Sequence, residues 1–301
     1  MTLETLACLK RLGVNRVSMG VQTLDPGELR RVGRGHTAEA IERAVADIGE
    51  VGFENVNLDL IYGLEGQTRE SWLASLSGTV AFGPRTVTIY PIVFRPLTAI
   101  DRRRERDRSG FMDDGSKYAL YDESVDYLSE RGFRQDTFVR FTTLAHDGYQ
   151  QEAADFAGVP LLGLGAGARS HGPSVHYGTD FAVRKPSTLS IISGFVEHDH
   201  RPGEAIGRGV VVDPDEQRRR YLILNLSLGR LDPRAFAERF PGSDLDEFSP
   251  QLDALEREGC IDLRPDGVRL MTRRGFKFSN VIATLFTSSR VNALERAYVP
   301  A

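Results

Sequence analysis

Two polar side chains, the carboxamide of Gln22 and the carboxylate of Asp59, lie in predicted strands from which they can contact a ligand. Gln22 ends the β-rich run 17–22, and Asp59 lies inside the apolar run 56–62. A carboxylate in an apolar strand costs free energy unless it is paired or contacts a ligand, and α/β folds place ligands at the carboxyl ends of parallel strands. Two interpretations of Asp59 follow: a ligand contact, or a structural carboxylate bonded to a neighbouring loop.

Three closely spaced glycines, Gly163, Gly165 and Gly167, form a second candidate site. Backbone amides without side chains can approach a phosphate, but this spacing is not the Gly-x-Gly-x-x-Gly of dinucleotide-binding loops. The run instead predicts a tight strand or bend that a ligand or a neighbouring backbone approaches closely.

Metal-ligating residues are few. The two cysteines, Cys8 and Cys260, stand at opposite ends of the sequence, and none of the six histidines lies in a His-Glu-x-x-His motif. Two thiols on their own supply neither a four-ligand zinc site nor a three-thiolate iron–sulfur site. His198 and His200 fall in a predicted loop. No metal site is predicted.

The elements that position Gln22 and Asp59 repeat one pattern: a β-rich run, a turn, then an amphipathic helix. Strands are predicted at 17–22, 56–62 and 86–90, and helices over 37–51 and from Thr68 onward. Spacings of about 40 and 30 residues between strand starts fit βα crossovers and therefore parallel strands. The sequence predicts an α/β region of three βα units over residues 1–100.

Residues 101–212 form a second predicted region. It opens with a charge-rich loop at 101–116, continues with a helix at 118–130, and becomes irregular and glycine-rich at 133–182. Parallel sheets are usually covered on both faces and have more than three strands, so either this region is an extension that completes the core of the first region, or strands are missing upstream.

A third region is predicted over residues 213–301. Helices are expected at about 215–228, 233–240 and 245–258, before a hairpin at 260–271 whose turn is Pro-Asp-Gly. Three helices and a hairpin are typical of an α+β, winged-helix-like module. Its third helix is strongly acidic and would repel a phosphate backbone, so we interpret the module as a cover or a partner surface.

Composition limits the partners further. The formal net charge is −4, from 38 basic and 42 acidic residues, so nucleic acid is not the expected partner. The first ten residues lack the apolar core of a signal peptide, and no window reaches ~18 consecutive apolar residues. We expect a soluble, cytoplasmic protein that acts on a small-molecule substrate, with neither nucleic acid nor membrane as a partner.

Four segments, in order and with the expected spacing, resemble a known family. They are GVNRVSMGVQ at 13–22, RRVGRGH at 30–36, GFENVNLDLIYGLEGQT at 52–68 and LGLGAGA at 162–168. Together they resemble the radical S-adenosylmethionine (SAM) enzymes of the oxygen-independent coproporphyrinogen III oxidase (HemN-like) type.

The resemblance implies a fold and a cofactor site. Such enzymes form a partial (β/α)6 barrel that holds a [4Fe–4S] cluster and SAM, so this chain would be the C-terminal half of that barrel followed by the winged-helix-like domain. By the same resemblance, Gln22, Arg34 and Asp59 match positions that contact SAM, and the backbone near Val93 would contact it as well.

The sequence also departs from the family. Relatives carry Cys-x-x-x-Cys-x-x-Cys, a Gly-Gly-Gly-Thr-Pro segment and a Glu-containing strand upstream of Thr2, and these 301 residues have none of them. Arg169 replaces a histidine found in many relatives. The expectation is a truncated family member without cluster ligands, for which a separate N-terminal half would be the natural partner.

The expected reaction depends on which subgroup of the HemN-like family the sequence resembles. The stretch IYPIVFRPLT at 89–98 resembles that of methyltransferases and cyclopropane-forming enzymes of natural-product pathways. SAM-dependent C-methylation or cyclopropane formation is therefore our main expectation. The alternatives are coproporphyrinogen III oxidase-like porphyrin or haem metabolism, or a non-catalytic partner of a separate N-terminal half.

Overall fold

A computed structural model gives the fold. It describes residues 2–33, 37–94, 98–144, 154–155, 158–180, 182, 185–198 and 207–297. The chain forms two compact units: Met1–Arg95 with Ala99–Gly148, and Pro96–Thr98 with Tyr149–Ala301. The finer division at residues 100 and 212 stays a prediction.

The first unit is a mixed five-stranded sheet with helices. In chain order its elements are α1 (Leu3–Arg11), β1 (Arg16–Gln22), α2 (Pro26–Arg31), α3 (Ala38–Glu50), β2 (Asn55–Tyr62), α4 (Arg69–Ala81), β3 (Thr86–Pro91), α5 (Ala99–Arg106), α6 (Asp114–Glu130), β4 (Phe133–Gln135) and β5 (Arg140–Thr143). The strand order is β1-β2-β3-β5-β4. Strands β1, β2 and β3 are parallel, as predicted.

Two sequence expectations for this unit were wrong. The charge-rich segment predicted as a loop contains helix α5, and the stretch predicted as irregular begins with two strands, β4 and β5. Strand β5 pairs antiparallel with β3, and β4 pairs antiparallel with β5. The parallel strands therefore continue into an antiparallel edge.

Local sequence signals explain where the helices begin. Thr37 and Thr68 cap α3 and α4, each accepting a hydrogen bond from a backbone N–H in the first turn. In α4, the backbone N–H of Thr68 donates a hydrogen bond to Ser71 Oγ, which completes a capping box. The predicted start of this helix at Thr68 is confirmed.

The two faces of this sheet differ in chemistry. One face packs against α3, α4 and α6 and forms the core; its largest buried members are Leu58, Leu60, Trp72, Leu76, Ile89, Tyr121 and Phe141. The opposite face carries Ser18, Asn57, Asp59 and Thr88, which hydrogen-bond to one another. Parallel sheets usually have apolar residues on both faces, so this polar face marks the side on which a ligand site can lie.

The second unit contains two small antiparallel sheets and a group of helices. Its elements are β6 (Arg169–His171), β7 (Val175–Gly178), α7 (Lys185–Glu197), β8 (Arg208–Val211), α8 (Pro214–Ser227), β9 (Arg230–Leu231), α9 (Pro233–Arg239), a 3-10 helix (Leu245–Phe248), α10 (Ser249–Arg257), β10 (Ile261–Leu263), β11 (Arg269–Met271), α11 (Arg273–Lys277), α12 (Ser279–Phe286) and α13 (Ser289–Ala297). The sheets are ordered β6-β7-β8 and β10-β11-β9.

The predicted hairpin near the C-terminus is confirmed. Strands β10 and β11 pair with Asp262 opposite Leu270, and β9 adds a third strand along β11. The helices pack over this sheet around a core that includes Leu222, Leu226, Phe236, Leu252 and Phe286. Along the described parts of the chain, every helix is too short or too polar to cross a bilayer.

Candidate functional site

Asp59 lies on the polar face of the sheet, not within the apolar core. Its Oδ1 accepts a 2.6 Å hydrogen bond from Asn57 Nδ2, and its Oδ2 lies 3.4 Å from the hydroxyl of Ser18, which donates to it. Burial raises the pKa of Asp59, while hydrogen bonds from Asn57, Thr88 and Ser18 act in the opposite direction. The carboxylate is therefore held in place, with Ser18 exposed beside it.

Gln22 ends β1 in an unusual backbone conformation. It is the one non-glycine residue of the described chain with a positive φ, 70°, and it is 8% exposed. The register of β1 on β2 shifts between Gly20 and Gln22. A side chain at Gly20 would overlap the Gln22 amide. A non-glycine residue in the left-handed region stores strain, and such residues cluster at functional sites.

Val93 follows β3 at the same end of the sheet. Strand β3 ends at Pro91, which pairs with Tyr62 at the end of β2, and Val93 is 64% exposed. Its position is compatible with a backbone contact to a ligand. Arg34, the fourth predicted contact, lies outside the described residues; helix α2 ends three residues before it, at Arg31.

A buried carboxylate anchors the loops at this end of the sheet. Glu28 in α2 is 1% exposed and accepts hydrogen bonds from Thr23 (2.6 Å), Gln67 (2.9 Å) and Ser71 (2.5 Å). Gln67 in turn accepts a 2.7 Å hydrogen bond from the backbone N–H of Gly63. Glu28 therefore ties the segment after β1 to the segment after β2, which are the two segments that flank the candidate site.

The polar face continues onto the antiparallel strands. Thr142 pairs with Thr86 and Arg140 pairs with Thr88 across β3 and β5. Asp136 accepts a 2.5 Å hydrogen bond from Thr142, and its carboxylate lies 3.8 Å from Arg140 Nε. Arg140 is 6% exposed, so this end of the face carries a buried cation beside a carboxylate.

The glycine run has a structural role in this fold. A Cβ at Gly163 would overlap the backbone carbonyl of Arg169. The amide of Gly163 donates to Ser170 Oγ at 3.1 Å, and that of Gly167 donates to Thr179 Oγ1 at 2.6 Å. The predicted close approach of a neighbouring backbone is confirmed at Gly163.

Comparison with known proteins shows which families this chain is similar to. Residues 1–77 match the model of the radical SAM superfamily. The haem chaperone HemW of Bacillus subtilis is 25% identical over 293 residues, which cover 94% of this chain and 72% of that protein. Oxygen-independent coproporphyrinogen III oxidase of Escherichia coli is 24% identical over 309 residues, which cover 97% of this chain and 65% of the oxidase. The chain is homologous to the HemN and HemW proteins of the radical SAM superfamily.

A further relative and a solved structure complete the comparison. HemW of Synechocystis is 31% identical over 162 residues, covering 54% of this chain and 39% of that protein. The structure of coproporphyrinogen III oxidase (HemN) from Escherichia coli superposes with a TM-score of 0.73 at 23% identity, over 95% of this chain and 67% of that one. The chain therefore has the α/β fold of HemN and spans between 39% and 72% of the length of the three curated relatives.

Homology to radical SAM proteins implies two cofactors, SAM and a [4Fe–4S] cluster. The residues of this chain fit the first cofactor but not the second. SAM presents hydroxyl and ammonium donors, and Asp59 is a partly buried carboxylate beside the exposed Ser18. Gln22 and Val93 lie at the same end of the parallel strands. The residues present therefore fit SAM.

The same residues do not fit the cluster. Within these 301 residues the thiols are Cys8 in α1 of the first unit and the buried Cys260 of the second. Iron–sulfur clusters are held by several converging thiolates. Among the described residues, no group of three or more His, Cys, Asp or Glu side chains is arranged to hold a metal.

Sequence reasoning missed part of this candidate site. It identified Gln22 and Asp59 but not Ser18, Asn57 or Thr88, which hold the Asp59 carboxylate. The signal was present as a period of two in β2, where Asn57 and Asp59 alternate with leucines. An apolar run that is polar at every second residue indicates a strand with one polar face.

Proposed function

We propose that this chain is the SAM-binding portion of a HemN- or HemW-like protein of porphyrin or haem metabolism. The observation that carries the proposal is the half-buried Asp59 carboxylate, held by Asn57 and Ser18 on the polar face of three parallel strands. In this proposal the first unit is half of a partial (β/α)6 barrel whose polar face lines the interior. The second unit contributes a winged-helix-like domain.

The relatives support a tetrapyrrole rather than a natural product as substrate. The proteins compared above are haem chaperones and coproporphyrinogen III oxidases, so the expected C-methylation or cyclopropane formation has no support among them. Tetrapyrroles of this kind carry carboxylate side chains. Arg16 at the start of β1 and the buried Arg140 provide cations in the same sheet, and guanidinium groups suit carboxylates.

Under the proposal, the thiolates that hold the cluster come from residues outside this sequence. SAM, when bound beside a cluster, supplies radical chemistry; the contribution of this chain is to bind and orient SAM through Gln22, Arg34, Asp59 and the backbone at Val93. A non-catalytic role beside a separate cluster-bearing segment stays a prediction.

Calorimetric titration with SAM tests the proposal. Asp59→Asn keeps the shape of the side chain and removes its charge, while Glu42→Gln makes the same change on an exposed position of α3. We expect SAM to bind the parent chain and the Glu42 variant equally, and the Asp59 variant about tenfold or more weakly, the scale of a lost charged hydrogen bond. Equal SAM affinity in all three proteins would refute the site assignment.

A second titration tests the substrate class. Coproporphyrin III and haemin are followed by their absorption with the SAM-loaded chain, and Arg140→Gln is compared with Arg131→Gln on the exposed end of α6. We expect tetrapyrrole binding to weaken in the Arg140 variant alone. Absence of tetrapyrrole binding together with normal SAM binding would leave the SAM site standing and refute porphyrin or haem metabolism.

A further inference from the structure

A cavity lies in the second unit, built from residues that the candidate SAM site does not use. Its charged and titratable lining is Asp155, His171, His176, Arg220 and Arg239, and its apolar lining includes Val159, Val212 and Phe240. The hairpin of β6 and β7 provides the histidines, and helices α8 and α9 provide the arginines. Charged groups therefore converge from three parts of the unit onto one partly apolar cavity.

On one side of this cavity, a carboxylate balances the charge of a guanidinium group. Arg220 Nη2 lies 3.1 Å from Asp155 Oδ1, and His171 Nδ1 lies 3.3 Å from the same oxygen. His171 and His176 face each other across the hairpin with ring centroids 4.7 Å apart. Burial lowers the pKa of His176 to about 4, with His171 and Arg220 adding to the effect. His176 is therefore a neutral hydrogen-bonding group at neutral pH.

Arg239 supplies a cation that these groups do not neutralise. Its guanidinium lies against Gly158, where a Cβ would be 2.8 Å from Arg239 Nη2, and Gly158 has a positive φ of 88°. Among the described residues no carboxylate forms an ion pair with Arg239. The described residues that line the cavity thus include two guanidinium groups and one carboxylate, an excess of one positive charge.

The apolar wall restricts the chemistry of an occupant. Val159, Val212 and Phe240 line the cavity with Tyr221, whose ring packs edge-on against Phe240. A small inorganic anion would leave these side chains uncovered, and a doubly charged anion would also face Asp155. A single anionic group on an apolar body contacts both the exposed guanidinium of Arg239 and the apolar wall.

We propose that this cavity binds a small organic carboxylate, with its anionic group on Arg239 and its apolar body against Val212 and Phe240. The site uses residues other than those of the candidate SAM site and does not depend on the function proposed for that site. Its ligand class is a monocarboxylate with an aliphatic or aromatic body.

The experiment is a calorimetric titration of the full chain with benzoate, benzyl alcohol and inorganic phosphate at low chloride. We expect benzoate to bind, benzyl alcohol of nearly the same shape not to bind, and phosphate to bind about tenfold more weakly than benzoate or worse. Equal binding of benzyl alcohol would refute the anionic contact. Equal binding of phosphate would refute the role of the apolar wall, and absence of benzoate binding would refute the site.

Matched variants on α9 locate the contact. Arg239→Gln removes the proposed guanidinium, and Arg234→Gln makes the same change on an exposed position of the same helix outside the cavity. We expect about tenfold weaker benzoate binding for the Arg239 variant and unchanged binding for the Arg234 variant. Equal loss in both, or no loss in either, would overturn the assignment.

The histidines give a readout that does not depend on the variants. Benzoate should shift the imidazole resonances of both His171 and His176, which line the cavity, and should leave that of exposed His198 unchanged. Circular dichroism of the Arg239 variant checks that the second unit remains folded. Benzoate binding without any shift at His171 and His176 would place the ligand elsewhere and refute the proposal.

Discussion

Asn57 donates a 2.6 Å hydrogen bond to Asp59 from two residues earlier on the same strand face. The amide is itself fixed, because its nitrogen also donates to Ser18 at 2.9 Å and its oxygen accepts from Thr88 at 2.8 Å. Asn57 is 2% exposed. A buried amide with partners on three strands therefore orients the carboxylate that we assign to SAM binding.

The first prediction concerns the stability cost of the Asp59 charge. Burial raises the pKa of Asp59 above its ordinary value of 3.8, so the folded state holds the proton more strongly than the unfolded state. The free energy of unfolding therefore falls as the pH rises from the ordinary pKa through the raised pKa of the folded state. At neutral pH the whole destabilisation by the buried charge is present. Asp59→Asn should leave the unliganded chain as stable or up to about 1 kcal/mol more stable at neutral pH.

Urea unfolding at neutral pH and near pH 3 measures this effect. The gain in stability of the Asp59 variant should disappear at the acidic pH, where Asp59 is protonated in both the folded and the unfolded state. Glu42→Gln should show no gain in stability at either pH. A loss of several kcal/mol in the Asp59 variant would instead make Asp59 a structural carboxylate.

The second prediction concerns the buried Glu28. Its carboxylate accepts hydrogen bonds from Thr23, Gln67 and Ser71, so Glu28→Ala leaves three donors without their acceptor. We expect a loss of about 3 kcal/mol in the free energy of unfolding. Glu50→Ala, at the exposed end of α3, should change stability by about 0.5 kcal/mol or less. Similar values for the two variants in urea unfolding would contradict this account.

The elements that the sequence predicted correctly are those with local signals. Strands β1 to β3 and helix α3 have regular apolar periods, whereas α4 buries Ser75 and Thr79 beside Trp72 and Leu76. Thr37 and Thr68 mark where the two helices begin. Strands β4 and β5 have three and four residues, and β5 depends on pairing with the distant β3, which no local pattern encodes. Helix α5 has no buried residue; Arg103, bound to Glu65 at 2.7 Å, helps to hold it.

The candidate site was predictable only in part for a similar reason. Asp59 was noticeable because a carboxylate interrupts an apolar run, and Gln22 because it ends a strand. Ser18 is separated from Asp59 by 41 positions in sequence, so their contact follows from the register of β1 on β2. The left-handed backbone conformation of Gln22 could not be predicted from its residue type, because glycine is the usual residue in that conformation.

The third prediction tests the structural role of the glycine run. Gly163→Ala places a methyl group on the backbone of Arg169, and backbone cannot move aside as a flexible side chain can. We expect a loss of about 2 kcal/mol or more, because the segment beside β6 must shift. Gly194→Ala in α7, where a Cβ meets no atom within 4 Å, should be neutral or slightly stabilising. Equal thermal stability of both variants would contradict this role.

The fourth prediction concerns iron. With two thiols in separate units, the chain should bind SAM yet assemble no cluster on anaerobic reconstitution with iron and sulfide. Iron analysis and visible absorption measure the outcome. About four irons per chain, lost on Cys8→Ala or Cys260→Ala, would show that the chain's own thiols hold a cluster and would refute the statement that its residues do not fit one.

The last prediction is a pH dependence of stability that originates at His176. Burial, His171 and Arg220 lower its pKa to about 4 from the usual 6.5, while Asp155 acts in the opposite direction. Between these two values the unfolded state binds more protons than the folded state, so stability rises with pH through the window and is lost as the pH falls. Solvent screening of a partly exposed ring reduces the effect to about 1–2 kcal/mol.

Urea unfolding at intervals from pH 4 to 6.5 measures this slope for the parent chain and two variants. His176→Gln should flatten the dependence, because the group that titrates differently in the two states is removed, whereas His198→Gln on an exposed position should leave it unchanged. A slope in the His176 variant equal to that of the parent chain would assign the pH dependence to other groups. It would also remove the evidence that His176 is neutral in the cavity that contains Arg239.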